Sequence, residues 1–191
     1  MKLLAVALLA LSFNAFAKPQ ICTFDYVKDG STLAWTAFKT PKKVGVTAKF
    51  SDFTINAKNS KSIEDLLSSA AFEVNSQSVD SGDKARDAKI QQFFFKKMLS
   101  GTKITGKVLK VSDNMADVEL TMNGTTKTTR MTVKYDEPSS KVSLKGAIDV
   151  LEFGLKESLA SITKACYEKH EGVTWPDVDL DLTANIRQSC K

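Results

Sequence analysis

The sequence predicts an all-β fold, an eight-stranded antiparallel barrel with short helices and one longer helix before the last strand. Three observations predict it. Apolar and polar residues alternate in eight segments joined by short connections, and a period of two gives each strand one dry and one wet face. Between two of these segments sits Asn123-Gly124, the dipeptide that most readily takes the positive φ values of a two-residue hairpin turn. Only Leu155 to His170 carries a helical stripe, with Leu155, Leu159, Ile162 and Cys166 spaced four, three and four apart and Gly172 following as a stop. A two-sheet sandwich is the alternative that the same pattern allows.

Taken in order, the chain starts with Met1-Lys2, an apolar run from Leu3 to Leu11 and the small-x-small site Ala15-Phe16-Ala17. These features predict a signal peptide over 1–17, too short for a mature membrane span, and a single domain over 18–191. Phe24 and Tyr26 alternate before the turn-like Lys28-Asp29-Gly30-Ser31, which predicts a short leading strand folded back onto the first long one, Leu33-Trp35-Ala37. Val44, Val46, Ala48 and Phe50 form the next inward row, resumed after a one-residue phase change by Phe53, Ile55 and Ala57 as across a bulge. A helical turn or two over Ser60–Leu67 precedes the strand Ala70-Phe72-Val74, and Asp83–Phe94, free of Gly and Pro, reads as a short helix. Ile104-Gly106-Val108 leads into the hairpin of Ala116–Met122 with Met131–Tyr135. Val142–Val150 and Val178–Ile186 complete the set, with the helix from Leu155 between them packing on or across one end.

The chain has 27 Lys and Arg against 22 Asp and Glu, and losing Lys2 with the leader leaves 26 against 22. The bases are scattered along outward strand positions, which describes a solvated surface rather than a nucleic-acid or membrane-binding patch. Catalytic signatures are missing. His170 is the sole histidine and stands at the polar end of the extra helix, so no Ser-His-Asp or Cys-His machinery is marked out. Cys166 and His170 have ligand spacing but lack a third partner, and there is no phosphate loop or nucleophile elbow. Arg86-Asp87 fits a loop-pinning pair better than a head-group contact. At least one of Phe93-Phe94-Phe95 is expected to guard the barrel mouth or cover a partner surface.

An eight-stranded barrel either packs solid or encloses one ligand. Its inward positions mix large residues with small ones, Ala37, Ala48, Gly106, Ala116, Gly146 and Ala184, and small residues leave volume for hydrocarbon. On that reading Ala116→Phe or Ala184→Phe obstructs the interior. Periodicity alone leans to the solid core, with large and small side chains interdigitated.

Several segments, in this order and spacing, resemble the YceI-like family of secreted bacterial, lipocalin-like barrels associated with polyisoprenoid binding. They are Ser31-x-Leu33-x-Trp35, Val46-x-Ala48-x-Phe50-x-x-Phe53, Arg86-Asp87 followed by Phe94-Phe95, Gly124-x-Thr126-Lys127, and Phe153-Gly154. Where family members often carry His, this chain has Gly30, Lys39 or Thr40, and Lys89, so a His-dependent head-group or metal role is not carried over. The resemblance implies a hollow eight-stranded barrel that takes a long isoprenoid or other lipid tail, and it tips the interior toward hollow. The expected lining is Trp35, Val46, Phe50, Phe53, Phe72, Phe94, Val118, Leu120, Met131, Val133, Ile148, Leu180 and Leu182. Lys127, opposite Leu120 in a two-residue hairpin, is the candidate head-group contact. The expected protein is a non-enzymatic carrier or store without cofactor, periplasmic or secreted, without nucleic-acid binding or stable membrane insertion; a homodimer is allowed. Its rivals are a solid-core structural or stress-related interaction module and a hydrolase or isomerase acting on the lipid.

The three cysteines in an oxidising compartment predict one disulfide and one free thiol. A leading hairpin brings Cys22 to the end of the barrel where the helix carrying Cys166 emerges. Cys190 then lies about 26 Å away along the last strand, beyond the about 7 Å a bridge spans. Cys22–Cys166 is therefore favoured. If the N-terminus runs straight into the first strand, Cys22–Cys190 is the better pair; Cys166–Cys190 requires the helix to reach back along the barrel.

Overall fold

The computed structural model describes residues 21–191, so the expected leader over 1–17 lies outside the described residues. The strands are β1 (Cys22–Lys39), β2 (Val44–Phe50), β3 (Phe53–Asn56), β4 (Ala71–Asn75), β5 (Val79–Asp80), β6 (Lys103–Ser112), β7 (Met115–Met122), β8 (Thr125–Asp136), β9 (Lys141–Asp149) and β10 (Thr174–Cys190). The helices are α1 (Ile63–Ser68), α2 (Lys84–Phe93), α3 (Lys156–Ala165) and α4 (Tyr167–His170). None of the described helices is long and apolar enough to cross a membrane.

The β7–β8 hairpin forms as its sequence requires. Asn123 and Gly124 take φ values of 55° and 75°, and Met122 pairs with Thr125, Leu120 with Lys127 and Ala116 with Met131. Ala116, Val118, Leu120, Met122 and Met131 are all buried on the inner face. The Asn123 side chain also ties the tip down, donating to the Phe153 carbonyl (3.0 Å) and accepting from the Leu99 N–H (2.6 Å).

The strands number ten, not the eight expected, because the phase change after Phe50 is a break that separates β2 from β3, rather than a bulge, and because Val79–Asp80 adds the short β5. Ser51 N–H donates to Ser78 O and Asn75 N–H to Asp52 O, both at 3.1 Å, so β2 pairs with β5 while β3 pairs with β4. The sheet runs β3-β4-β6-β7-β8-β9-β10-β1-β2-β5, antiparallel throughout. Since β3 follows β2 after two residues, the chain itself joins opposite sides of this curled half-barrel.

The leading hairpin does not exist. β1 is one long strand, and Lys28 to Ser31 are extruded between the pairs Val27–Asn185 and Thr32–Thr183. Gly30 supplies the positive φ of 74°. The Ser31 hydroxyl closes the bulge by donating to Val27 O (2.7 Å) and accepting from Asn185 N–H (2.9 Å). Because β1 runs straight, Cys22 lies opposite Cys190 in the β1–β10 register, with Cα atoms 4.0 Å apart, and these two form the disulfide. The Cys22–Cys166 pairing is thus overturned, and Cys166 is the free thiol.

α1, capped by Ser62, buries Ile63, Leu66 and Leu67 at the disulfide end of the sheet. α2 and α3 pack together at the other end, beside the β7–β8 tip. The expected single helix over Leu155–His170 is broken at Cys166, which leaves helical ψ (22°) between α3 and α4. Some small inward residues do not leave volume. A Cβ on Gly106 would lie 2.3 Å from the Phe72 ring, and one on Gly146 would lie 2.9 Å from Met131 Cγ. At these two positions large side chains lie over small ones.

Candidate functional site

Elsewhere the interior stays open. A cavity of about 450 Å³ lies inside the sheet. Eleven of the expected lining residues border it: Trp35, Val46, Phe50, Phe72, Phe94, Val118, Leu120, Met131, Ile148, Leu180 and Leu182. Each sits on the inner face of its strand because the alternation puts it there, apart from Phe94, which caps the end of α2. The phenylalanine run turns inward. Phe95 is buried, its ring edge-on to Phe94 at 5.3 Å and tilted against Phe50 at 5.8 Å, while Phe93 is half-buried.

Three expected residues stand elsewhere. Phe53, just past the strand break, packs with Leu33 and Val74 in a separate cluster. Val133 borders a small separate groove with Phe24, Ile63 and Tyr135, and Leu67 of α1 lines both this groove and the main cavity. Lys127 does pair with Leu120, as expected, but is exposed and outside the cavity, since a four-carbon stem at the sheet's rim reaches water easily.

The two ends of the cavity differ. Leu66 and Leu67 of α1, with Ala57 and Ala70, floor it. The mouth lies at the α2–α3 end, where Lys39, Asp83, Arg86, Lys89, Lys169, His170, Thr174 and Trp175 border it. Two of the departures from the family pattern, Lys39 and Lys89, are therefore brought together here. Sequence reasoning missed this rim, since its residues come from β1, α2, α4 and β10 and share no spacing in the chain.

Arg86 and Asp87 pin the loop before α2. Arg86 Nε donates to Ser81 Oγ (2.8 Å) and Nη2 to Ser81 O (2.7 Å), while Asp87 Oδ1 accepts from the Ser81 N–H (2.8 Å) and hydroxyl (2.6 Å). Asp83 caps α2, and its bonds from the N–H groups of Arg86 foremost and Ala85 hold its carboxyl below the usual carboxylate range. His170, at the polar end of the helical stripe, is half-buried on the rim, with Nδ1 2.8 Å from Thr174 Oγ1. Burial, and then the charges of Lys39 and Lys89, push its pKa below that of an ordinary histidine. Among the described residues, the Trp35 indole N–H and Tyr26 hydroxyl are buried at the cavity wall without hydrogen-bond partners. No three His, Cys, Asp or Glu side chains gather into a metal site among the described residues.

Comparisons with known proteins agree with this architecture. No curated protein matches the chain. BcnA of Burkholderia cenocepacia shares the fold with a TM-score of 0.57 at 16% identity, over 85% of this chain and 99% of that one. A polyisoprenoid-binding domain from Saccharophagus degradans, implicated in plant cell wall breakdown, gives 0.58 at 14%, over 87% and 99%. The family model of the YceI-like domain matches residues 24–186, from the first strand to the last. On that match the chain belongs to the YceI-like family.

Proposed function

We propose that this protein is a non-enzymatic carrier or store for a single apolar chain, working outside the cytoplasm. The observation that carries the reading is the cavity, about 450 Å³, walled by hydrocarbon, floored by α1 and open at one end. Water gains little in such a space, where polar partners are scarce. The volume also bounds the ligand. An apolar cavity of about 150 Å³ accepts one benzene, so three times that volume holds on the order of 18 carbons. A C15–C20 isoprenoid or a fatty chain fits on that scale, and a longer polyisoprenoid would extend through the mouth. The polyisoprenoid-binding relative supports an isoprenoid tail, and the Cys22–Cys190 disulfide fits an oxidising compartment. A docking module built on the phenylalanine run is less well supported, because Phe94 and Phe95 line the interior.

The test is native mass spectrometry of the purified protein, with organic extraction. It is expected to show one long-chain lipid per protein, or uptake of one added fatty-chain fluorophore when the protein is delipidated. Failure of both would overturn the carrier reading.

A further inference from the structure

Lysines along the wall of the sheet are either paired or exposed to water. Lys103, Lys107 and Lys145 face Glu73 at 2.8 Å, Glu119 at 3.1 Å and Asp181 at 2.7 Å, and Lys43 in the β1–β2 turn lies 2.7 Å from Asp177, while Lys110, Lys127, Lys134 and Lys141 stand exposed. At the rim, Lys39 from the end of β1, Lys89 from α2 and Lys169 from α4 form no ion pair among the described residues. Lys39 and Lys89 are half-buried nonetheless, and Arg86 adds a fourth cation.

Two carboxylates border the same cavity: Asp181 faces Lys145, and Asp83 caps α2 while also feeling the charges of Arg86 and Lys169, so one carboxylate stands among four cations at the rim. Several like charges drawn from separate elements to the edge of a low-dielectric space leave a focused positive potential. His170 stands beside them, and burial first, then the charges of Lys39 and Lys89, disfavour its protonation. Ammonium groups of this kind are matched by a carboxylate or phosphate, whose charge-assisted bonds are about twice as strong as neutral ones.

We propose that this rim holds the anionic head group, a carboxylate or phosphate monoester, of an amphiphile whose chain fills the cavity. The inference rests on the carrier reading above and adds the chemistry of the head. It places head-group recognition on Lys39, Lys89 and Lys169 rather than on Lys127.

The test compares farnesyl phosphate, farnesol and inorganic phosphate by titration calorimetry at low ionic strength. The wild-type protein is expected to bind farnesyl phosphate at least about tenfold more tightly than farnesol, with the difference shrinking as salt is added. Inorganic phosphate alone is expected not to compete. In Lys39→Gln/Lys89→Gln the ratio of the two affinities should fall to near one, and Lys39→Arg/Lys89→Arg should restore it, which separates loss of charge from loss of fold. Equal binding of farnesol and farnesyl phosphate by the wild type, or an undiminished ratio in the glutamine variant, overturns the head-group inference and leaves the carrier reading standing. Binding of neither amphiphile overturns both. Competition by inorganic phosphate as strong as that by farnesyl phosphate would make the rim a free-phosphate site and sink the proposal.

Discussion

Ala184 and Ala116 look alike in sequence, small inward residues on long strands, yet the structure separates them. Ala184 borders the cavity opposite Val142, whereas Ala116 is sealed opposite Met131 and does not reach it. A phenyl ring added at Ala184 displaces about the volume that one benzene takes, about 150 Å³. That is a third of the cavity's 450 Å³, so capacity should fall from about 18 carbons to about 12. Each methylene that enters hydrocarbon contributes about 0.8 kcal/mol, roughly fourfold in Kd. Affinity for a series of 1-alkanols, read by displacement of a fluorescent fatty probe, should therefore climb with length and level off where the cavity is full. In Ala184→Phe the plateau should move about six carbons shorter. Ala116→Phe should instead overpack the core, costing about 1–3 kcal/mol in urea unfolding, with its plateau unmoved. An unshifted plateau in Ala184→Phe, or a shifted one in Ala116→Phe, would refute the cavity as the chain-binding space.

Two further predictions follow from the cysteines and the histidine. Cys22 and Cys190 are 168 residues apart, so losing their bridge should cost up to about 5 kcal/mol on the loop-entropy relation, whereas Cys166→Ser should leave unfolding unchanged; urea curves with and without reductant decide, and a large loss in Cys166→Ser contradicts the pairing. His170, the sole histidine, should titrate by NMR below the ordinary value of about 6.5. The unfolded chain then binds the proton more readily than the folded one, so stability should be full above about pH 6.5 and decline as pH drops toward the folded pKa. His170→Asn should remove that part of the slope, and an identical slope in the variant would contradict it.

What was legible in the sequence was local. The β7–β8 hairpin carries its register in Asn123-Gly124 and its burial in strict alternation, and both appear unchanged in the structure. Lys28 to Ser31 have the same turn chemistry, but a bulge with positive φ at Gly30 needs the same residues as a hairpin, and only the pairing of β10 across it distinguishes the two. The disulfide assignment inherited that ambiguity. Gly106 and Gly146 read as empty space because their cover, Phe72 and Met131, comes from neighbouring strands. The cationic rim left no trace in the pattern, since Lys39, Lys89 and Lys169 come from β1, α2 and α4 and meet only after folding.

The bridge between Cys22 and Cys190 also turns the chain into a covalent ring around its own cavity. Beside it, Ile21 and Lys191 exchange backbone bonds at 3.1 and 3.0 Å, at the floor and away from the mouth. Any single cut in a loop between those cysteines would open the ring yet leave one molecule, its two pieces still joined by sulfur. Proteolytic nicks at the exposed turns would then pass unseen on a non-reducing gel. The order of strands around the hydrocarbon space would outlast a break in the backbone that made it.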